Sequence, residues 1–361
     1  MSILVLDGGM GTTLEALGID VSTSPLWGCE LVHTDPDFIK RVHSGYATAG
    51  ADLISTATYQ LSVPALVGIG HSEDAAASIL RKAVAVAGAS AGDAQLVVSL
   101  GPFGAHLFPG QEYTGFYPPP YGPQGYSADG PSTNYTAPGP VLDGYEAALA
   151  AYHLDRLRTY ASDEATWKAV GWLAFETVPV LSEVRGIRRA VAQLYTELSA
   201  RWGEAEWWRK PFWITSAFPD GKHGQLDAAG EHVPVSEVIG AMLGPISGNA
   251  VVPNGVGMNC TNPSFLAGLA AQFTDAAAAL KLETEPRFVL YPDGGSVYDV
   301  VHRCWSDAAR VPPADWAEQT VAVARGVVTD SPVWGGAIVG GCCKSSFDEV
   351  SALRAVVGER K

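Results

Sequence analysis

The order of apolar runs along this chain predicts an α/β protein, a (β/α)8 TIM-type barrel carrying a long Pro/Gly/Tyr-rich loop insertion. Three observations predict it. Eight short apolar runs read as strands. Helical patterns or long crossovers separate them, as neighbouring parallel strands require. The chain has 361 residues, 47% of them hydrophobic, enough to bury the core of a single barrel domain over 1–361. A doubly wound open sheet is the structural alternative.

The elements follow in order. Ser2 to Leu6 reads as a strand that ends at Asp7-Gly8-Gly9. Thr34-Asp35-Pro36 is a cap-and-proline helix start, with Phe38, Ile39, Val42 and Tyr46 at helical spacing behind it. Ala51 to Thr58 is the second strand, Ala75 to Ala89 a helix, and Gln95 to Leu100 the third strand. A helix from Asp143 to Tyr160 carries Tyr145, Leu149, Tyr152 and Leu157 on one face. Strands are expected at Gly171 to Phe175, Phe212 to Ser216, Gly255 to Met258, Arg287 to Tyr291 and Ala337 to Val339. Helices are expected at Val180 to Leu198 and Ser264 to Leu280. Ser346-Phe347-Asp348-Glu349 has the spacing of a capping box and opens the closing helix.

Two segments break this rhythm. Phe108 to Pro140 is rich in Pro, Gly and Tyr and has no period of 2 or 3.6. It reads as a loop inserted after the third strand, on the side where barrel sites lie, either as a lid or as a passive insertion. A second insert, Arg201 to Lys210, carries Trp202, Trp207 and Trp208, which fit the packing of an external helix. No internal repeat or interdomain linker is present.

Composition removes several function classes. Lys and Arg number 23 against 38 Asp and Glu, a net charge of −15. Such a chain lacks the basic footprint for nucleic acid and for anionic membrane surfaces. No apolar run approaches the roughly 18 residues of a bilayer span. The start, Met1-Ser2-Ile3-Leu4-Val5-Leu6-Asp7, has no basic region and does not read as a signal peptide. Five cysteines are too few for a disulfide scaffold. A soluble cytoplasmic enzyme is the expectation, and a homo-oligomer built on external helices remains open.

Two familiar motifs fail on context. Gly88-Ala89-Ser90-Ala91-Gly92 has the letters of a nucleophile elbow but follows a helix and precedes a strand, the reverse of what an elbow needs. Gly9-Met10-Gly11-Thr12-Thr13-Leu14 lacks the last glycine of a dinucleotide fingerprint. The cysteines carry more. Cys260 ends one strand candidate, and Cys342-Cys343 follows Gly340-Gly341 at the end of the last. In a parallel barrel both ends share one face, so three sulfurs can converge there. Three thiolates with an open fourth position describe a catalytic zinc site, whereas inert packing is the ordinary fate of a free cysteine. Cys29 and Cys304 read as packing residues, and His106 and His153 as loop and helix-face residues.

These residues carry a family resemblance. Asp7-Gly8-Gly9-Met10-Gly11-Thr12, Gly50-Ala51-Asp52, Thr56-Ala57-Thr58-Tyr59-Gln60, Gly101-Pro102-Phe103-Gly104-Ala105, Phe175-Glu176-Thr177, Gly257-Met258-Asn259-Cys260 and Gly340-Gly341-Cys342-Cys343 occur in the order seen in homocysteine S-methyltransferases. From about residue 3 to residue 355 the chain resembles the stand-alone enzymes that use S-methylmethionine or S-adenosylmethionine. The resemblance implies a barrel holding Zn2+ through Cys260, Cys342 and Cys343, with the homocysteine thiol as fourth ligand. It implies that Asp7, Gly8 and Thr56 contact the amino acid and that Glu176 receives its ammonium. It places Trp27 near the methyl donor, as core packing or as a wall for a cation.

The implied chemistry is direct in-line methyl transfer from a sulfonium to a metal-held thiolate. A thiol of ordinary pKa, about 8.5, is mostly protonated at neutral pH, and zinc coordination removes the proton. A cationic donor favours aromatic walls, and Tyr113, Phe116 and Tyr117 of the inserted loop join Trp27 as candidates. The implied partners are homocysteine and a sulfonium donor, with a selenol as an alternative acceptor. The segment after Thr56 differs from betaine-using relatives. The competing classes are a zinc or amino-acid binding barrel without catalysis and a metal hydrolase, which would use His and carboxylate ligands.

Overall fold

The computed structural model describes residues 2–21, 24, 26–203, 206–295 and 310–359, with only the backbone course of 297–299 and 304–306. The side chain of Cys304, Pro25 beside Leu26-Trp27, and residues 204–205 of the Trp-rich insert lie outside the described residues.

Eight parallel strands make the barrel: β1 (Ser2–Val5), β2 (Leu53–Ser55), β3 (Gln95–Leu100), β4 (Val170–Phe175), β5 (Phe212–Ala217), β6 (Gly255–Asn259), β7 (Arg287–Tyr291) and β10 (Gly336–Val339). The sheet runs β1-β10-β7-β6-β5-β4-β3-β2. Its two ends meet at a parallel bridge between Leu6 and Leu53, where Asp7 N–H donates to Leu53 O at 3.1 Å. That contact closes the ring. A short antiparallel hairpin, β8 (Val297–Asp299) with β9 (Cys304–Ser306), stands apart from the barrel sheet.

A long helix follows each barrel strand, at Pro36–Ala49, Glu73–Gly88, Pro140–Ala161, Leu181–Trp202, Val235–Leu243, Leu266–Ala279, Pro313–Asp330 and Phe347–Val357, with shorter helices such as Met10–Ala16, Val63–Gly68 and Glu164–Ala169 between them. Their starts are written locally. Asp35 accepts from Phe38 N–H at 3.1 Å ahead of Pro36, and Ser72 accepts from Ala75 N–H at 3.3 Å. Glu349 receives the Ser346 N–H at 2.7 Å in the expected capping box. The helix at Pro313–Asp330 and the hairpin before it go beyond what the sequence pattern predicts.

The period of 2 along each strand divides the core into two layers. Leu53, Val97, Ala174, Trp213, Val289 and Ile338 point inward and fill the barrel. Ile54, Val98, Phe175, Ile214, Phe288 and Val339 point outward against the helices. On β6 the inward places at Gly255 and Gly257 carry no side chain. A Cβ on Gly257 would stand 1.8 Å from Val289 O, and one on Gly255 2.9 Å from Val289 Cγ2.

Strand β2 is shorter than the expected Ala51 to Thr58 for a specific reason. Thr56 N–H still reaches Val97 O at 2.8 Å, but Thr58 N–H turns back to Thr56 O at 2.8 Å and the chain leaves the sheet. The Trp-rich insert packs outside the barrel as expected: Trp208 is buried, and its carbonyl accepts from Trp167 Nε1 at 2.9 Å. Among the described residues, no helix is long and apolar enough to cross a membrane.

Candidate active site

The same alternation that fills the barrel places the polar residues at its C-terminal mouth, where sites of this fold lie. Two residues beyond the inward Leu53, Val97, Ala174 and Val289 stand Ser55, Ser99, Glu176 and Tyr291. Ser99 Oγ donates to Glu176 Oε1 at 2.6 Å, and the Tyr291 hydroxyl bonds the same carboxyl. Ser55 donates twice to Asp7, from its N–H at 2.7 Å and its hydroxyl at 2.8 Å. Burial pushes the Asp7 carboxyl up to about 8, against the Ser55 hydrogen bonds. Burial likewise lifts Glu176 to about 7. Neither has a Lys or Arg partner among the described residues, so both are held ready for a cation from outside the chain.

The three expected cysteines converge. Cys260 follows β6, Cys342 and Cys343 follow β10, and their sulfurs lie within 4.8 Å of one another. Cys260 and Cys342 are joined as a disulfide with Cα atoms 5.4 Å apart, while Cys343 is a free thiol. Backbone strain gathers here. Cys260 has φ 45°, Thr177 φ 60° and Lys344 φ 58°, left-handed values that side chains disfavour. Hydrogen bonds hold each in place. Asn259 accepts from Thr177 N–H at 2.9 Å, while its amide donates to the Thr177 hydroxyl at 2.7 Å and to Cys260 Sγ at 3.3 Å. Thr12 Oγ1 accepts from Lys344 N–H at 2.8 Å.

Two glycine pairs let the turns after β1 and β10 interlock. A Cβ on Gly8 would lie 2.6 Å from Ser345 O, on Gly9 2.4 Å from Cys342 O, and on Gly340 2.6 Å from Leu6 Cβ. Gly341 N–H donates to Asp7 O at 3.0 Å, which couples the carboxyl's turn to the cysteine turn.

The inserted segment closes over this mouth. Residues 107–139 contain no helix or strand, yet they are tied down on three sides. Gln111 N–H donates to Gly104 O at 3.0 Å, the Tyr117 hydroxyl to Glu183 at 2.8 Å, and the Asn134 amide to Gly224 O at 2.9 Å. Glu183 is fully buried and also accepts from Phe103 N–H at 2.6 Å and bonds His153 at 2.9 Å. The loop thereby delivers Tyr113, whose hydroxyl bonds the Cys343 sulfur, and Glu112 beside it.

The sequence-derived residues can now be placed. Asp7, Glu176 and the three cysteines share the mouth. Gly8 serves the close approach of two turns. The Thr56 hydroxyl is taken up by Thr58 at 2.6 Å and by Ser99 N–H at 3.3 Å, so it braces the wall. The half-buried Trp27 ring covers Gly11, whose Cβ would meet it at 2.5 Å. Of the loop aromatics, Tyr113 reaches the cysteines, whereas Tyr117 belongs to a packing cluster with Phe103 and Tyr121. Tyr59 bonds Thr177 and lies beside Glu112 and Cys343, while Gln60 accepts from the buried Cys29 thiol at 3.3 Å and is packing. Sequence reasoning missed Ser55, Ser99 and Tyr291, which strand parity could have flagged. It also missed Glu112, for which the non-periodic loop offers no signal.

The donor set fits a metal ion. Once the disulfide is reduced, three soft thiolates on strained but braced backbone can surround one ion, a set that selects zinc or another thiophilic metal over Mg2+ or Ca2+. Burial and nearby acids push the Cys343 thiol up to about 12, so this sulfur is a thiolate only with a cation beside it.

Comparison with known proteins agrees with this architecture. The family model for homocysteine S-methyltransferase matches residues 4–357. Homocysteine S-methyltransferase 4 of Zea mays is 29% identical, over 98% of this chain and 89% of its own. Homocysteine S-methyltransferase 1 of Arabidopsis thaliana is 28% identical, over 97% and 91%. The crystal structure of the metallated homocysteine methyltransferase MmuM from Escherichia coli superposes with a TM-score of 0.64 at 24% identity, covering 99% of this chain and 96% of that one. Its likeness is one of fold, the closed eight-stranded barrel. With the family pattern running from β1 to the closing helix, the chain belongs to the homocysteine S-methyltransferase family and is an enzyme of the methyltransferase class.

Proposed function

We propose that this enzyme transfers a methyl group from a sulfonium, S-methylmethionine or S-adenosylmethionine, to the thiol of homocysteine, with zinc held by Cys260, Cys342 and Cys343. The observation that carries the reading is the meeting of three cysteine sulfurs with buried Asp7 and half-buried Glu176, neither paired to a cation among the described residues, under one loop. When bound, zinc would keep the acceptor sulfur as a thiolate at neutral pH. Glu176, oriented by Ser99 and Tyr291, takes the substrate ammonium, and its burial strengthens that ion pair. Asp7, fixed by Ser55, adds a second acid to the mouth, one that burial keeps largely protonated until a cation enters. Asn259 steers the Cys260 sulfur, and the loop carrying Tyr113 excludes water. Trp27, Gly8 and Thr56 belong to the walls of this pocket. Thiolate ligands also suit a reducing compartment, in keeping with a cytoplasmic location.

One relative, 26% identical, is a selenocysteine Se-methyltransferase of Brassica oleracea. That supports a selenol as an alternative acceptor, since a selenolate offers the same soft donor. The test is methionine formation by reduced, zinc-loaded protein with homocysteine and S-methylmethionine, S-adenosylmethionine or betaine, and a parallel arm with selenocysteine as acceptor. Turnover with a sulfonium and none with betaine is expected, and Cys260→Ser should lose both zinc and turnover. Zinc-loaded protein inactive with every donor, or Cys260→Ser with undiminished zinc, would overturn the proposal.

A further inference from the structure

The carboxyl of Glu112 has no task in the mechanism above, and its environment is unusual. Its Oε2 is buried and has no hydrogen-bond partner among the described residues. It reaches the mouth from the inserted loop, close enough to Cys343, Tyr59 and Tyr113 for its charge to act on all three. The group bonds its own backbone N–H, yet a buried carboxylate oxygen without a partner is costly unless something supplies one. Of the other acids near Cys343, Asp293 already accepts from Gly295 N–H at 2.8 Å and Glu15 faces the Lys344 ammonium at 3.7 Å. The two tyrosines supply aromatic surface, which favours a desolvated, hydrogen-bond-free cation.

We propose that Glu112, with Tyr59 and Tyr113, forms the subsite for the sulfonium centre of the methyl donor. Glu112 is thus a specificity-determining residue carried by the loop. The inference rests on the sulfonium reading given above. A sulfonium has no N–H to donate, so a carboxylate oxygen left without a donor, with Tyr59 and Tyr113 near it, matches it better than it matches an ammonium. Of the acids in the mouth, Glu176 is matched by the acceptor's ammonium and Asp7 already accepts two hydrogen bonds from Ser55, which leaves Glu112 with an unpartnered oxygen for the donor. In the transfer, the S–CH3 bond of the sulfonium breaks with its electron pair going to the donor sulfur, and the acceptor thiolate forms the new S–CH3 bond. Both charges vanish and two neutral thioethers result. Glu112 therefore stabilises the bound sulfonium more than the transition state, and loses its hold on the product.

The experiment compares wild type with Glu112→Gln, which keeps the shape and removes the charge. For the variant we expect a donor KM raised about tenfold or more, an unchanged homocysteine KM, and a kcat equal to or above wild type. Trimethylsulfonium, which has no ammonium, should inhibit wild type competitively against the donor and lose about tenfold in the variant, while inhibition by neutral methionine stays the same. An unchanged donor KM and an unchanged trimethylsulfonium inhibition constant would overturn the assignment. So would a variant weakened towards methionine and trimethylsulfonium alike. Wild type inactive with every sulfonium would instead refute the function proposed above, so the two failures are distinguishable.

Discussion

Replacing Glu176 by Gln should weaken substrate binding and yet stabilise the substrate-free protein, with a pH dependence that the structure dictates. Burial raises the carboxyl from 4.5 to about 7, so between those values the folded state holds a proton that the unfolded state releases. Stability from the protonated form is complete below pH 4.5 and is lost as pH rises through 7. At about 1.4 kcal/mol per unit, the ionised carboxyl costs the folded state about 3 kcal/mol above pH 7. Glu176 is half-buried, and solvent at the rim reduces that figure to about 2 kcal/mol. The Glu176→Gln substitution removes the penalty while the new amide oxygen can still accept from Ser99, so the variant should gain about 2 kcal/mol over wild type at pH 8 and almost nothing at pH 4.5. Urea titrations of both proteins across this range, zinc-loaded and reduced, measure the difference directly. Homocysteine should then stabilise wild type at pH 8 far more than the variant, and its KM should rise about tenfold or more in the variant. A stability difference that does not change with pH, or a variant less stable than wild type at pH 8, would refute the reasoning.

Two other residues give independent tests. Asn259→Ala removes the amide that donates to Cys260 Sγ and braces Thr177, so zinc affinity in a chelator competition should fall about 10- to 100-fold; unchanged affinity would show that the amide does not orient the sulfur. Tyr117→Phe leaves a fully buried Glu183 oxygen without its donor and should cost about 1–3 kcal/mol. Faster proteolysis within 108–139 should accompany that loss, and an unchanged cleavage rate would mean that Tyr117 does not anchor the loop.

Much of this site is legible in the sequence because a parallel barrel turns chain position into spatial position. Cys260 and Cys342-Cys343 each lie just past an apolar run, so strand ends alone predict that they meet, and Phe175-Glu176 carries a carboxyl on the same parity as Ala174. Ser55, Ser99 and Tyr291 obey the same parity but are ordinary strand residues by type, and only their hydrogen bonds to Asp7 and Glu176 mark them. Glu112 lies beyond such reasoning. Its place is set by Gln111 on Gly104, Tyr117 on Glu183 and Asn134 on Gly224, contacts between segments with no shared period. Local rules mislead most at the cysteines themselves. Left-handed backbone at 177, 260 and 344 would ordinarily call for glycine, whose freedom removes a strain of about 1 kcal/mol or more at each place. At 260 a glycine would have no sulfur to offer. The chain keeps the side chain, accepts the strain, and offsets it with hydrogen bonds from Asn259, Thr12 and the Tyr291 carbonyl, which receives Cys260 N–H at 3.2 Å. Those braces are buried polar contacts that add little to a hydrophobic core, and their concentration around three sulfurs follows from holding a strained ligand set in one geometry.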